Sequence, residues 1–397
     1  MKKDKLEIIN LSGSSLTSLA KKGNLSYAEQ LYNPLNFFDT VHHISFDQND
    51  RNIKLTNPTI EVHILKTVLS GVPVVRWIIN SPLALIQVCR IARKNKVCLI
   101  RGRNPYHASL LGLIASRLLR IPFVVSIGGN HRLAHQLMGR YAFNSRFLSE
   151  REEEIVLKGA DRVICPNQYS RDYAISIGVS PGKTCIIPLR LLDDIFNFTY
   201  QESDILSSRG VDINKPIILF VGKFESDKQV ESLIETIPLV TRDCPEVQFA
   251  LIGDGSIKAA MERKVVELGQ ERNVYFLGFQ STETIRHCLS AATAVCVTMS
   301  GFVILEAAAA SKAIIAFDVE WHSEFIRDGE TGLLVENRNR DKLAEAIRRL
   351  ANNPGLASSL GKNARSLIDA EYNPQKIRER EIAELLKVIQ NVPRSQK

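Results

Sequence analysis

No C-x-x-C pair occurs in the 397 residues, although there are seven cysteines: Cys89, Cys98, Cys165, Cys185, Cys244, Cys288 and Cys296. The spacing expected of thiolate-bound zinc is therefore missing, and no metal site is expected from these cysteines. An odd, scattered set, partly inside apolar runs such as Val163-Ile164-Cys165 and Val295-Cys296-Val297, reads as reduced thiols that pack as small hydrophobes. Long apolar runs are also lacking. The stretch after Met1-Lys2-Lys3-Asp4-Lys5 is too short for a signal-peptide core. The greasiest segment, Ile64 to Val88, is broken by Lys66, Gly71, Pro73, Arg76, Asn80 and Pro82. The expectation is a cytoplasmic protein. The motifs G-x-x-x-x-G-K-[ST], H-E-x-x-H and G-x-S-x-G do not occur. The G-x-G of Gly253-Asp254-Gly255 lacks the third glycine of a dinucleotide fingerprint and follows a mid-domain strand, which argues against a nicotinamide enzyme.

What is present is an ordinary globular composition, 45% apolar and 24% charged, in a length that suits two or three domains. A net charge of +8 favours anionic partners without naming one. Short apolar runs alternate with amphipathic stretches. Strands are expected at Leu6–Leu11, Thr40–Phe46, Val97–Ile100, Pro122–Ser126, Arg162–Cys165 and Thr184–Ile187, with helices between them at Tyr106–Leu119 and Leu133–Lys158. The rhythm pauses in the polar segment after Arg190. It resumes with strands at Pro216–Val221 and Val247–Ile252 around a helix carrying Val230, Leu233, Ile234, Ile237 and Val240 on one face. The predicted fold is α/β, with two Rossmann-like doubly wound parallel-sheet domains facing across a cleft. The predicted domains are 1–192, a linker 193–214, 215–372, and a C-terminal helix 373–397 that starts at Asn373-Pro374 and is available to cross back to the first domain.

Two segments carry chemistry. In Phe220-Val221-Gly222-Lys223-Phe224-Glu225-Ser226-Asp227-Lys228 a buried strand runs into a helix, Gly222 permits the sharp exit, and two ammonium groups sit where ligands of parallel sheets collect. Such a pair suits a departing diphosphate, although loop lysines also occur without a ligand. In Thr298-Met299-Ser300-Gly301-Phe302-Val303-Ile304-Leu305-Glu306, small residues and a helix start offer N–H groups to phosphate oxygens. Glu306 lies inside an apolar stretch and needs partners. Sugar hydroxyls would serve, and a first-turn carboxylate favouring the helix dipole is the other reading.

Taken in order and about eighty residues apart, these segments make residues 216–336 resemble the donor domain of GT-B glycosyltransferases of the large family four. That family has a V-G-R-L-x-x-x-K loop and an E-G-F-G-x-x-x-x-E motif. Leu251-Ile252-Gly253-Asp254-Gly255, Asn273 to Phe279 and Arg327 to Val335 add to the likeness, as does Asp161-Arg162-Val163-Ile164-Cys165-Pro166-Asn167 in the first half. The resemblance implies that Lys223 and Lys228 clamp the donor diphosphate and that Glu306 holds the ribose. It also implies that Gly222, Gly301, Phe302 and Val303 line the phosphate and sugar, and that Gly278 and Phe279 lie near the base. Gly13 would lie under the diphosphate from the other domain. Gly128 and Gly129 stand in the Ser126–His131 segment, where many members place a V-H-G histidine. His131, three positions beyond Gly128, is the candidate substitute, with a surface or capping histidine as the other reading. Arg101 and Arg103 are acceptor-side candidates for an acceptor phosphate or the donor, or else ordinary surface charges.

The chain also departs from the family pattern. Lys223 replaces an arginine, Thr298 stands where the first Glu of the paired motif falls, and Asp318-Val319-Glu320-Trp321-His322-Ser323-Glu324 replaces a Gly-Gly-x-Pro-Glu loop. The implied activity is retaining transfer of a hexosyl-type unit from a nucleotide-diphosphate sugar to a sugar or lipid-linked acceptor hydroxyl, in surface polysaccharide or glycolipid synthesis. No cofactor or essential metal and no nucleic acid is expected. A nucleotide-sugar epimerase of the same fold and a non-catalytic nucleotide-sugar-binding protein remain open. The basic, apolar segment Ile64–Lys96 reads either as a helix pair lying on an anionic bilayer at the inner face of the membrane or as ordinary core helices.

Overall fold

The computed structural model describes residues 5–21, 23–66, 73–128, 143–191, 193–197, 204–299 and 301–391. It divides into two compact units. Among the described residues, one contains those of 5–128, 143–189 and 375–391, and the other those of 190–374.

The first unit is built on a seven-stranded sheet: β1 (Glu7–Ser12), β2 (Thr40–Ser45), β3 (Ile60–Ile64), β4 (Leu99–Arg103), β5 (Phe123–Ser126), β6 (Arg162–Cys165) and β7 (Thr184–Ile186). Every pairing is parallel, in the order β3-β2-β1-β4-β5-β6-β7. Parallel strands buried on both faces need near-continuous apolar runs, and Ile8, Ile9, Leu11, Val124 and Val125 supply them in the middle of the sheet. The edge strand β3 is not among the expected strands, although its alternation of apolar residues with Glu61 and His63 has the period of a half-buried strand. A single helix, Pro73–Lys94, stands where a pair was expected.

The second unit carries β8 (Ile217–Val221), β9 (Gln248–Ile252), β10 (Val274–Gly278), β11 (Ala294–Val297), β12 (Ala313–Phe317) and β13 (Leu333–Val335). They are ordered β10-β9-β8-β11-β12-β13 and again all parallel. Its core packs Ile218, Phe220, Phe249, Cys296 and Ile315 against helix residues Leu233, Ile237 and Ile347. Each fully buried Ile, Leu or Phe among them contributes about 1.5–3 kcal/mol of burial free energy. Helices begin where polar caps end the loops: the side chains of Ser281, Asn339 and Asn353 accept from the N–H groups of Thr284, Lys342 and Leu356.

The segment expected as an irregular linker contains two short helices, Asp193–Phe196 and Asp204–Ser208, and Leu206 is fully buried. The helix Pro374–Asn391 contributes most of its residues to the first unit. Glu381 on it forms a buried ion pair with Arg101, and Glu384 pairs with Arg162.

In each sheet the strand order reverses beside the first strand, between β1 and β4 and between β8 and β11. Chains leaving neighbouring strands at such a point turn to opposite faces of the sheet and open a crevice at the carboxyl ends. The two motif segments leave β8 and β11, so they flank the crevice of the second sheet.

Candidate active site

The loop after β8 is held from below by the G-x-G segment. The Gly222 N–H donates to Ile252 O at 3.0 Å, and the Phe224 N–H donates to Asp254 O at 3.0 Å. A Cβ on Gly253 (φ +143°) would lie 1.8 Å from Gly222 O, and one on Gly255 would lie 2.4 Å from Phe224 O. Gly253-Asp254-Gly255 thus serves close backbone approach, and the fully buried Phe224 anchors the loop that carries the lysines. Lys223 is exposed and makes no ion pair among the described residues. Lys228 closes the single 3₁₀ turn Ser226–Lys228, with its Nζ 3.9 Å from Asp227.

The loops after β8 and β11 are bonded to each other. The Thr298 hydroxyl donates to the carbonyl of Lys228 at 2.5 Å, and Gln229 Nε2 lies 3.0 Å from Met299 Sδ. Gln229 takes a left-handed conformation (φ +52°) to start the helix Val230–Thr241. Thr298 is buried, 1% exposed. Its hydroxyl is engaged with the backbone of the residue expected at the diphosphate.

Beyond Thr298, Gly301 and the exposed Phe302 lead into the helix Val303–Ala309, whose first N–H groups have no acceptor within the helix. Val303 is buried at its start. Glu306 is half-buried in its first turn. Burial pushes its carboxyl above the usual carboxylate range, and the Arg286 guanidinium pulls it back. Gly278 ends β10 with φ +69°, and Phe279 after it is 67% exposed.

The first unit sorts its expected residues differently. Gly13 follows β1 and is exposed, with open space where a Cβ would stand. The Gly128 N–H donates to Asn104 Oδ1 at 2.9 Å, so near that a Cβ there would clash. Arg101 corrects an expectation. It is 2% exposed, ion-paired with Glu381, and donates to Leu31 O at 3.2 Å. It therefore fastens the C-terminal helix and is not presented to an acceptor. Arg103 ends β4, and its Nη1 is buried without a partner among the described residues. Burial, and then the adjacent charge of Arg101, lowers its affinity for its proton. Gly129 and His131 lie outside the described residues.

His322 was visible in the sequence only as an odd loop residue. It is fully buried, its Nδ1 donates to Phe317 O at 2.6 Å, and the Trp321 ring packs edge-on against it. Burial holds its imidazole below the usual range; Phe317 and Asp318 oppose this and the Lys228 charge adds to it. Nδ1 carries the proton given to Phe317 O, and Nε2 is buried without a partner among the described residues. The departure of the Asp318–Glu324 loop from the family's Gly-Gly-x-Pro-Glu pattern is the signal that could have marked it.

Two doubly wound parallel-sheet domains, with paired strand-to-helix loops at the switch point of the second, define a protein of the GT-B class. Residues 202–367 match the family of glycosyl transferases group 1, and residues 47–190 match the glycosyl transferase 4-like domain. Alpha-D-kanosaminyltransferase of Streptomyces kanamyceticus is 27% identical over 67% of this chain and 70% of its own. Poly(ribitol-phosphate) alpha-N-acetylglucosaminyltransferase of Staphylococcus aureus is 31% identical over 41% of this chain, a match spanning only 34% of that relative. The solved sucrose-phosphate synthase of Thermosynechococcus elongatus shares the fold with a TM-score of 0.78 at 22% identity, covering 97% of this chain and 100% of that one. The chain belongs to the group 1 glycosyltransferases and is an enzyme that transfers sugars.

Proposed function

We propose that the protein moves a hexosyl-type unit from a nucleotide-diphosphate sugar to a hydroxyl of a sugar or lipid-linked acceptor, with retention at the anomeric carbon. The observation that carries this reading is the bonded pair of loops at the switch point of the second sheet, where Lys228 is fixed through its carbonyl by Thr298. Cleavage of the donor bond leaves growing negative charge on a diphosphate. Lys228 and Lys223 neutralise that charge, Gly301 to Val303 supply N–H groups, and Glu306 accepts from ribose hydroxyls. Thr298 acts through Lys228, as a positioning residue. Surface-polymer synthesis is the setting we favour, in keeping with the poly(ribitol-phosphate) in the name of the Staphylococcus relative. The epimerase and pure-binding readings lead to different results in one experiment. A thermal-shift screen of nucleotide sugars identifies the donor, and the stabilising donor is then incubated with and without candidate acceptors. Acceptor-dependent product supports transfer. An altered sugar or free nucleotide without acceptor supports epimerisation, and binding without product under any acceptor removes the enzymatic reading of this site.

No helix among the described residues is long and apolar enough to cross a membrane. We propose contact with an anionic bilayer through the surface where Leu85, Ile86 and Leu118 adjoin Arg90, Arg93 and Lys94. Ile86 and Leu118 are more than half exposed. Apolar side chains ringed by like-signed cations suit a headgroup layer better than a protein core.

A further inference from the structure

We propose that His42, Glu61 and His63 bind a divalent transition-metal ion of the zinc type in the N-terminal unit. His42 lies on β2, and Glu61 and His63 lie on the edge strand β3. The register sets His42 opposite Glu61 and Ile44 opposite His63, so the three side chains leave one face of the sheet. His42 Nδ1 is 3.0 Å from His63 Nε2 and 3.4 Å from Glu61 Oε2, and the last two atoms are 3.7 Å apart. Ligand atoms about 2.0–2.1 Å from a tetrahedral zinc stand about 3.3–3.4 Å from one another, so this triangle has the size of one tetrahedral face.

The second observation is the orientation of His42. Its Nε2 lies 3.1 Å from Oε2 of Glu7, at the start of β1. An ionised carboxylate only accepts, so Nε2 carries the proton and Nδ1 turns its lone pair toward His63 and Glu61. Glu61 brings a second electron-rich atom to the same point; without an ion the Nε2 proton of His63 can face them both, and a bound cation would replace that proton. A carboxylate bonded to the far nitrogen of a ligating histidine is also the usual device for fixing the tautomer of a metal ligand. His42 is buried, whereas the side chains of His63 and Glu61 are 29% and 58% exposed. The ion would therefore enter from solvent and keep a water as a further ligand. It would tie the edge strand β3 to β2. None of these residues belongs to the proposed transfer machinery, so ion binding and transfer can fail separately.

The test uses the untagged full chain, stripped with chelator and titrated with Zn²⁺ by calorimetry and with Co²⁺ by visible absorption. One ion per chain, nitrogen- and oxygen-ligated cobalt bands displaced by Zn²⁺, and a melting temperature raised by Zn²⁺ are expected. His63→Gln and Glu61→Gln, both at accessible positions, should each weaken binding at least tenfold, and Glu7→Gln by about 10–100-fold. Absence of stoichiometric binding, thiolate charge-transfer bands, or unchanged affinity in His63→Gln would overturn the proposal.

Discussion

The hydroxyl of Thr298 donates a 2.5 Å hydrogen bond to the backbone carbonyl of Lys228, seventy residues earlier in the chain. One short bond thereby joins the exits of β8 and β11. A glutamate at position 298, the family's usual residue, would only accept when ionised and could not donate to that carbonyl. The threonine therefore performs a different task.

Removing the hydroxyl tests that task. Thr298→Val keeps the shape but leaves a buried carbonyl unpaired, at a cost of about 1–3 kcal/mol. The expected result is a raised KM for the donor together with lower turnover. Thr298→Ser should restore both in steady-state kinetics, and equal donor kinetics in the valine and serine variants would refute the assignment.

The buried pair of Arg101 and Glu381 makes a second, opposite prediction. Glu381→Ala strands a buried guanidinium and should destabilise the N-terminal unit by about 3–5 kcal/mol in urea unfolding. The double change Arg101→Met with Glu381→Leu should recover most of this loss and retain transfer. Loss of transfer in a stable double variant would return Arg101 to the acceptor side.

Acid should weaken the fold through His43. Its ring stacks on Tyr32 with 4.4 Å between centroids, and Asn10 Nδ2 lies 3.0 Å from its Nδ1. Burial lowers its pKa to about 4. The unfolded chain, near 6.5, takes up the proton first, so stability from this group is intact above about pH 6.5 and is lost as pH falls toward about 4. The full loss is about 3 kcal/mol. Urea midpoints across this range should fall, and His43→Phe should flatten the slope. An unchanged slope in that variant would assign the acid sensitivity elsewhere.

Membrane contact is tested with vesicles. Neutralising Arg90, Arg93 and Lys94 together should weaken binding to anionic vesicles by about 3 kcal/mol, at about 1 kcal/mol per charge, and leave neutral vesicles unaffected. Sedimentation with no preference for anionic lipid would dismiss this surface.

The fold was legible because parallel strands buried on both faces must be written as apolar runs, and Ile217 to Val221 is such a run. The donor-side loops were legible because their glycines and lysines sit at strand exits. What remained hidden depends on long-range geometry. Arg101 looks like a ligand-binding cation until Glu381 packs against it from far along the chain. His42, Glu61 and His63 have no telling spacing, since only the pairing of β2 with β3 brings them together. Gly253-Asp254-Gly255 resembles part of a nucleotide motif, yet its glycines are required by the neighbouring backbone.

The most direct measurement is kcat/KM for Lys228→Ala with the stabilising nucleotide sugar and its acceptor, read beside the melting temperature. Loss of one preorganised charge at the leaving group predicts a fall of about 10²–10³-fold in a variant that melts close to the parent protein. Turnover equal to the parent would show that the departing diphosphate is not neutralised at Lys228.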